Sequence, residues 1–341
     1  MAEPKEVSNS SSILNSITIE EAAKRSIEYI HKRKTGAIKS LLTPWRKFNY
    51  VGLGGLEWQT IVTIAGMSGS GKTAILNELE TALCELNPDE EFEVLSFNFE
   101  MLARNLVSRK LSKALSKSTK ELHSGFEGEN LDDKTYEAAL AEAKRLADYK
   151  IHYVDVPGNV DSIEKTILHH YHNMNRGRKE HKGLVILLDH SLLVKNKRGS
   201  QDRELLMDIM QMFNGLKKIT KTLFVIASQM NREIEQMERL DNPSAHFPRK
   251  RDIFGGDGLY MYSDIVLVTM NPEYMGITAY GPNEWPVEDR VYWHFIKVRE
   301  GEPVVAQMRN RLKYNKVEDF ENASPQQPQR INLNDVSETE E

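Results

Sequence analysis

The segment Gly66-Met67-Ser68-Gly69-Ser70-Gly71-Lys72-Thr73 constrains this chain more tightly than any other. An apolar, β-rich run from Trp58 to Ala65 leads into it, and helix-forming residues begin at once with Lys72-Thr73-Ala74-Ile75-Leu76. A strand that passes directly into a helix must curl sharply, which glycine permits and larger residues resist. The curl turns successive backbone N–H groups toward one point, where the new helix adds the positive end of its dipole. Such a loop cradles the phosphates of a nucleoside triphosphate. Gly66, Ser68, Gly69, Ser70 and Gly71 form the cradle, Lys72 is expected to reach the β- and γ-phosphates, and Thr73 to ligate Mg2+. ATP with Mg2+ is the expected cofactor pair, although no residue stands out as a reader of the base.

The rest of the chain alternates strand and helix patterns. The apolar periodicity predicts strand 93–99, helix 102–115, a polar excursion with a second helix over 119–148, strand 151–155, helix 161–175, strand 184–189 and helix 203–219. Strands 222–227, 264–270 and 291–297 follow. Alternation of this kind implies an α/β fold with a mostly parallel, twisted sheet flanked by helices. Met207, Met210 and Met212, with Leu205, Leu206, Ile209 and Phe213, give helix 203–219 an apolar face suited to the core or a subunit contact.

Around that core the sequence divides into a serine-rich N-terminus over 1–15, expected to be disordered, and a helix and connector over 16–50. The main domain runs over 51–317 and an acidic, Pro/Gln-containing tail over 318–341, expected to be flexible. No apolar stretch approaches the length of a membrane span, and the N-terminus lacks the pattern of a secretory signal, so a cytoplasmic protein is expected. The single cysteine, Cys84, excludes an intrachain disulfide and cysteine-based zinc sites, and is expected in the core. A net charge of −5 gives no global attraction to nucleic acid, so any such contact must come from local basic loops.

Phosphate binding alone does not hydrolyse ATP; the other strand ends must supply a metal carboxylate, a group for the attacking water and a γ-phosphate sensor. Leu184-Val185-Ile186-Leu187-Leu188-Asp189 is an apolar strand ending in an acid that would hold Mg2+ through water. Glu100 ends the strand after the phosphate-loop helix, where a carboxylate would orient and deprotonate water. Gln229 ends another apolar strand and would report the γ-phosphate to the following loop. Ligands of open parallel sheets sit beyond the carboxyl ends of the strands, where all of these residues fall.

With those residues in place, the chain from about Ile19 to Asp319 resembles the RecA-like P-loop ATPase domain of the DnaB-type replicative helicases. Phe97-Asn98-Phe99-Glu100-Met101 is similar to the family's strand with its catalytic glutamate, Leu187-Leu188-Asp189-His190 to its metal-binding strand, and Ala227-Ser228-Gln229-Met230-Asn231-Arg232 to its Ser-Gln-Leu-Asn-Arg motif. Phe295-Ile296-Lys297-Val298-Arg299-Glu300-Gly301 resembles its Lys-x-Arg element, which implies that Lys297 and Arg299 reach into a neighbouring subunit's ATP site, Arg299 as the arginine finger. The resemblance implies a homo-hexameric ring acting on single-stranded DNA, with a primase or loader protein as a further partner. Helix 19–31 looks like the family's linker helix, while the helical collar domain is expected to be absent, since only about 50 residues precede the core.

A second departure is Asp252-Ile253-Phe254-Gly255-Gly256-Asp257-Gly258, where the family carries charged DNA-contacting residues. DNA contacts are instead expected from Lys195, Lys197, Arg198 and Arg203, from Arg249, Lys250 and Arg251, and from backbone N–H groups of Gly255, Gly256 and Gly258. His169, His170 and His172 read as ordinary helix residues, because no cysteine or nearby carboxylate in the sequence completes a metal set. Two other readings stay open: a RecA- or KaiC-like ATPase for recombination or regulation, and a helicase-like assembly or loader factor that does not unwind.

Overall fold

The computed structural model describes residues 16–125, 131–189, 194–195, 202–320 and 329–330. Residues 1–39 and 40–341 form separate compact units. The first contains helix α1 (Ile19–Lys34), capped by Thr18, whose side chain accepts a hydrogen bond from the Glu21 N–H. None of its residues is buried, and Ile19, Ile27 and Ile30 are exposed.

In the second unit the strands are β1 (Ile61–Gly66), β2 (Phe92–Asn98), β3 (Ile151–Val154), β4 (Gly183–Asp189), β5 (Thr222–Gln229) and β6 (Ile265–Met270). They continue as β7 (Ala279–Tyr280), β8 (Trp285–Pro286), β9 (Arg290–Val298), β10 (Val304–Arg311), β11 (Lys316–Glu318) and β12 (Gln329–Arg330). The helices are α2 (Arg46–Val51), α3 (Lys72–Leu86), α4 (Ala103–Leu115), α5 (Thr119–Leu122), α6 (Asp133–Ala147), α7 (Val160–Met174), α8 (Asp202–Ile219), α9 (Met237–Leu240) and α10 (Gly256–Tyr262).

One sheet organises the unit, in the order β3-β2-β4-β5-β1-β6-β9-β10-β11. The first six strands are parallel, the expected α/β core. Helices cover both faces, which explains why β4 is apolar at consecutive positions rather than alternating. Leu184, Ile186 and Leu188 pack on one side with Ile163 and Ile167 of α7 and Ile209 and Phe213 of α8. Val185 and Leu187 pack on the other with Ile75, Leu76 and Leu79 of α3. Met210 is fully buried, as the apolar face of this helix predicted.

Several expectations need correction. The strand expected at 291–297 runs antiparallel to β6, and it is followed by antiparallel β10 and β11. The connection from Val298 to Val304 is too short for a crossover helix, so the chain can only return as a hairpin. The connector over 16–50 is not uniform, because residues from Ser40 onward belong to the main unit. Leu41, Trp45 and Phe48 are buried there; Trp45 meets Trp293 edge-on at 4.9 Å and donates its Nε1–H to Val317 O at 2.7 Å. The polar excursion contains two helices, α5 and α6. At the tail, β12 pairs with β10 through Val304 and Val305. Cys84 is half-buried rather than in the core.

Beneath the helix layer of α3 and α4, a buried ion pair ties three elements. Lys110 Nζ contacts Glu80 Oε2 at 2.8 Å and donates to Asn77 O and Oδ1, while the hydroxyls of Ser96 and Tyr153 donate to Glu80. Burial pulls the Lys110 pKa down and Glu80 pulls it back up. With all partners present the network is satisfied; with one removed, a charge stays behind without compensation. Lys110→Ala is therefore expected to lower unfolding free energy by about 3–5 kcal/mol in urea titrations, and the volume-conserving pair Lys110→Met with Glu80→Leu by far less. Equal losses in both variants would contradict this account.

Candidate active site

Between β1 and α3 the loop takes the curled form its glycines imply. A Cβ on Gly66 would stand 2.3 Å from Ser70 Oγ and 2.8 Å from Thr269 O, and Gly71 caps α3 at φ 95°, in the left-handed region. The Ser70 hydroxyl donates to Met67 O, and Thr269 of β6 donates to Ser70 O at 3.0 Å, fastening the loop to the sheet. Lys72 is buried, and its ammonium folds back onto Gly66 O and Met67 O, each at 2.8 Å. Burial lowers the Lys72 pKa, and the carboxylates of Asp189 and Glu100 raise it, so all three groups share one electrostatic neighbourhood.

Asp189 lies at the carboxyl end of β4, opposite Asn98 of β2. Its carboxyl is pushed up to about 6, chiefly by burial and with a contribution from Glu100, against the lowering effects of a Thr73 hydrogen bond, Lys72 and Arg109. Its Oδ1 is buried without a hydrogen-bond partner. An orphaned carboxylate oxygen beside a threonine hydroxyl and a lysine is the donor set that a hydrated Mg2+ satisfies, so Thr73 and Asp189 fit the metal role. Glu100 is exposed just past β2, next to this pair, and Gln229 ends β5 in register with Gly66. The sheet thus gathers Lys72, Thr73, Glu100, Asp189 and Gln229 at one end.

Arg109 of α4 joins them, a residue that no motif in the sequence marks. Burial lowers its pKa, and Asp189 and Glu100 raise it. Only the packing of α4 distinguishes it from the other cations of that helix, so no sequence signal singles it out. Tyr274, whose ring lies 3.0 Å from the Cβ position of Gly69, also covers the loop.

Lys297 and Arg299 are not in this cluster. Because β9 is antiparallel to β6, Val298 lies opposite Ile265, at the end of the sheet away from the phosphate loop. Four residues of β6 separate that level from Thr269, roughly 13 Å along the strand. Lys297 Nζ instead donates to Tyr260 O and Met261 O at the carboxyl end of α10, a favourable place for a cation. Arg299 Nε pairs with Asp264 Oδ1 at 2.9 Å, with the arginine side chain about half exposed. An exposed pair of this kind is worth about 0–1 kcal/mol. Asp264 keeps Lys217 and the Ile61 N–H, each at 2.8 Å, so Arg299 can leave without orphaning it.

The expected DNA contacts converge in part. A cleft of about 640 Å³ is lined by Arg203, Arg249, Lys250, Arg251, Gly255 and Gly256, among others. Lys195 is exposed but does not line the cleft, while Lys197 and Arg198 lie outside the described residues. Lys250 is engaged with Asp257 at 2.8 Å. The Gly256 N–H, expected to face a phosphate, donates to Ile253 O at 3.0 Å, because the segment read as a glycine loop already starts α10 there. Backbone bonds run from β5 into this wall: Phe254 N–H to Gln229 O at 3.0 Å and Asn231 N–H to Asp252 O at 2.7 Å.

The sequence pattern of the DnaB-like helicase C terminal domain matches residues 41–319. Among solved structures, an ATPase domain solved on its own superposes with a TM-score of 0.72 at 16% identity, covering 90% of this chain and all of that one. A DnaB-like replicative helicase, described with its interactions with primase, gives 0.72 at 15% identity, covering 90% of this chain and 68% of that one. At such identities the likeness concerns the fold, a RecA-like helicase ATPase domain. No curated protein matches the chain by sequence. Among the described residues, no helix is long and apolar enough to cross a membrane.

The raised carboxyl makes a prediction in metal-free buffer. A folded-state pKa near 6, above the unfolded value of 3.8, means that Asp189 supports folding fully below pH 3.8 and loses that support as pH rises through about 6. Asp189→Asn mimics the protonated acid at every pH. It should match wild type near pH 4 and exceed it by roughly 2–3 kcal/mol at pH 8, measured by denaturant unfolding without Mg2+. A difference independent of pH would mean that the carboxylate is well hydrated.

Proposed function

The chain belongs to the DnaB-like helicase C-terminal domain family, and we propose that it is an ATP-driven motor which forms a homo-hexameric ring, translocates on single-stranded DNA and separates the duplex during replication. The single observation carrying this reading is the division of the catalytic set. Lys72, Thr73, Glu100, Asp189 and Gln229 share one end of the sheet, and Arg299 stands at the other, half exposed and held by a replaceable ion pair. An arginine so placed can serve the site of a second copy and not its own.

In this reading Lys72 leaves the carbonyls of Gly66 and Met67 for the β- and γ-phosphates, which offer charge where the carbonyls offer only dipoles. Thr73 and Asp189 hold Mg2+, whose charge draws electron density from the phosphates as the γ-phosphoryl transfers. Glu100 takes the proton of the attacking water, and Arg109 holds the two carboxylates apart electrostatically. Arg299, with Lys297 beside it, stabilises the transferring phosphoryl in the neighbouring copy. Gln229 senses the γ-phosphate, and its bond to Phe254 carries that state to the basic cleft of Arg203, Arg249 and Arg251, the proposed DNA contact together with Lys195. The exposed apolar residues of α1 are taken to dock on an adjacent copy, with a primase or loader as a further partner of the ring.

The test is strand displacement from a forked DNA duplex with purified protein and ATP. Wild type should release the strand. Lys72→Ala should neither hydrolyse nor unwind, and Glu100→Gln should bind ATP yet turn it over on the order of 10²-fold more slowly. Vigorous DNA-stimulated hydrolysis without displacement would overturn the unwinding assignment.

A further inference from the structure

On the α7 face of the sheet, at the far edge from β9, two histidines and a carboxylate converge. Glu93 is the second residue of β2, His152 lies in the edge strand β3, and His170 sits in α7. The Nε2 atoms of His152 and His170 each stand 3.1 Å from the same oxygen, Glu93 Oε2. All three donor atoms lie within 4.8 Å of one another. The two rings meet near edge-on, with centroids 4.6 Å apart, so both imidazoles turn an Nε2 toward the carboxylate. We propose that Glu93, His152 and His170 form a divalent transition-metal site whose fitting ion is Zn2+.

The geometry and the donor chemistry agree. Zn–N and Zn–O bonds of about 2.0–2.2 Å at tetrahedral angles put neighbouring donors roughly 3.3–3.5 Å apart, a few tenths of an ångström more than the separations here. Two imidazoles and one carboxylate select zinc over magnesium or calcium, which prefer oxygen throughout. His170 is held toward its neutral, metal-binding form, since burial and the neighbouring His152 lower its pKa more than Glu93 raises it. Three protein ligands leave a fourth position on the side of exposed His152, open to water.

No sequence pattern announces such a site, because the carboxylate completing it lies 59 residues before His152 and 77 before His170. The parallel pairing of β2 with β3, in which Leu95 lies opposite His152, brings them together. This cluster is separate from the nucleotide site: it sits near the start of β2, and Asn98, level with Asp189, is about 17 Å further along that strand. A metal here would tie the four-residue edge strand β3, hydrogen-bonded only to β2 among the described strands, to α7 and thereby close an otherwise weakly held edge.

The experiment is a Zn2+ titration of the full chain by calorimetry after chelator treatment, with Mg2+ and ATP present so that the phosphate site is already filled. Co2+ absorption would then report coordination geometry. One equivalent should bind, and His152→Ala, His170→Ala and Glu93→Gln should each weaken binding by about tenfold or more. His169→Ala and His172→Ala, neighbours on the same helix, should leave it unchanged. The loss should also appear with His152→Gln and His170→Gln, so that a folding defect in the alanine variants does not decide the matter. Absence of saturable binding, or equal loss in the His169 and His170 variants, would overturn the site.

Discussion

Asp189 is a carboxylate buried at the end of a strand covered on both faces, with one oxygen left unpartnered. Much of the active-site architecture is arranged around that cost. Its charge is tolerated because Thr73, Lys72 and Arg109 lower the energy of the ionised form, and its pKa still rises to about 6 because burial outweighs them. Lys72 is in the complementary position, a buried ammonium resting on two carbonyls. Both groups are held ready for a ligand carrying the opposite charge. A polyphosphate with a divalent cation relieves both at once, which makes nucleotide binding the natural completion of the fold rather than an addition to its surface.

The same sheet carries the consequence of binding elsewhere. β5 supplies Gln229 at the phosphate end, and its backbone continues through hydrogen bonds into residues 251–254. That segment is held rigidly, since Arg239 pairs with the fully buried Asp252. A shift of Gln229 therefore moves a braced wall rather than a loose loop, and that wall lines the basic cleft. The physical requirement for a motor is a connection of this stiffness between the γ-phosphate and the surface that grips a polymer.

What could be read from sequence was what local physics fixes. The curl at Gly66–Thr73 needs only its own glycines, and the unbroken apolar run of β4 announces a strand buried on both faces and the acid at its end. The ordering of Glu100, Asp189 and Gln229 at successive strand ends followed from the parallel alternation. Features fixed by packing at a distance were not legible. Arg109 looks like any helix cation until α4 folds over the site, and Leu41, Trp45 and Phe48 look like a connector until they meet Trp293 and Val317. The antiparallel return of β9 decides where Arg299 lies, and a strand's direction cannot be read from its residues. The charged run before Gly255 was legible as a basic cluster, whereas the start of α10 at Gly256, which uses the N–H expected to meet DNA, was hidden by three glycines in four residues.

The central claim is that the catalytic site is completed by a second copy through Arg299. Mixing Arg299→Ala subunits with Lys72→Ala subunits, under conditions where subunits exchange, tests it most directly. Neither variant should hydrolyse ATP appreciably alone, because arginine fingers contribute on the order of 10³–10⁵ in rate. In the mixture, some interfaces join an intact phosphate loop to an intact arginine. Steady-state DNA-stimulated hydrolysis should therefore rise above that of either variant and peak at an intermediate mixing ratio. A flat curve, with exchange verified independently by energy transfer between labelled subunits, would contradict the two-copy site.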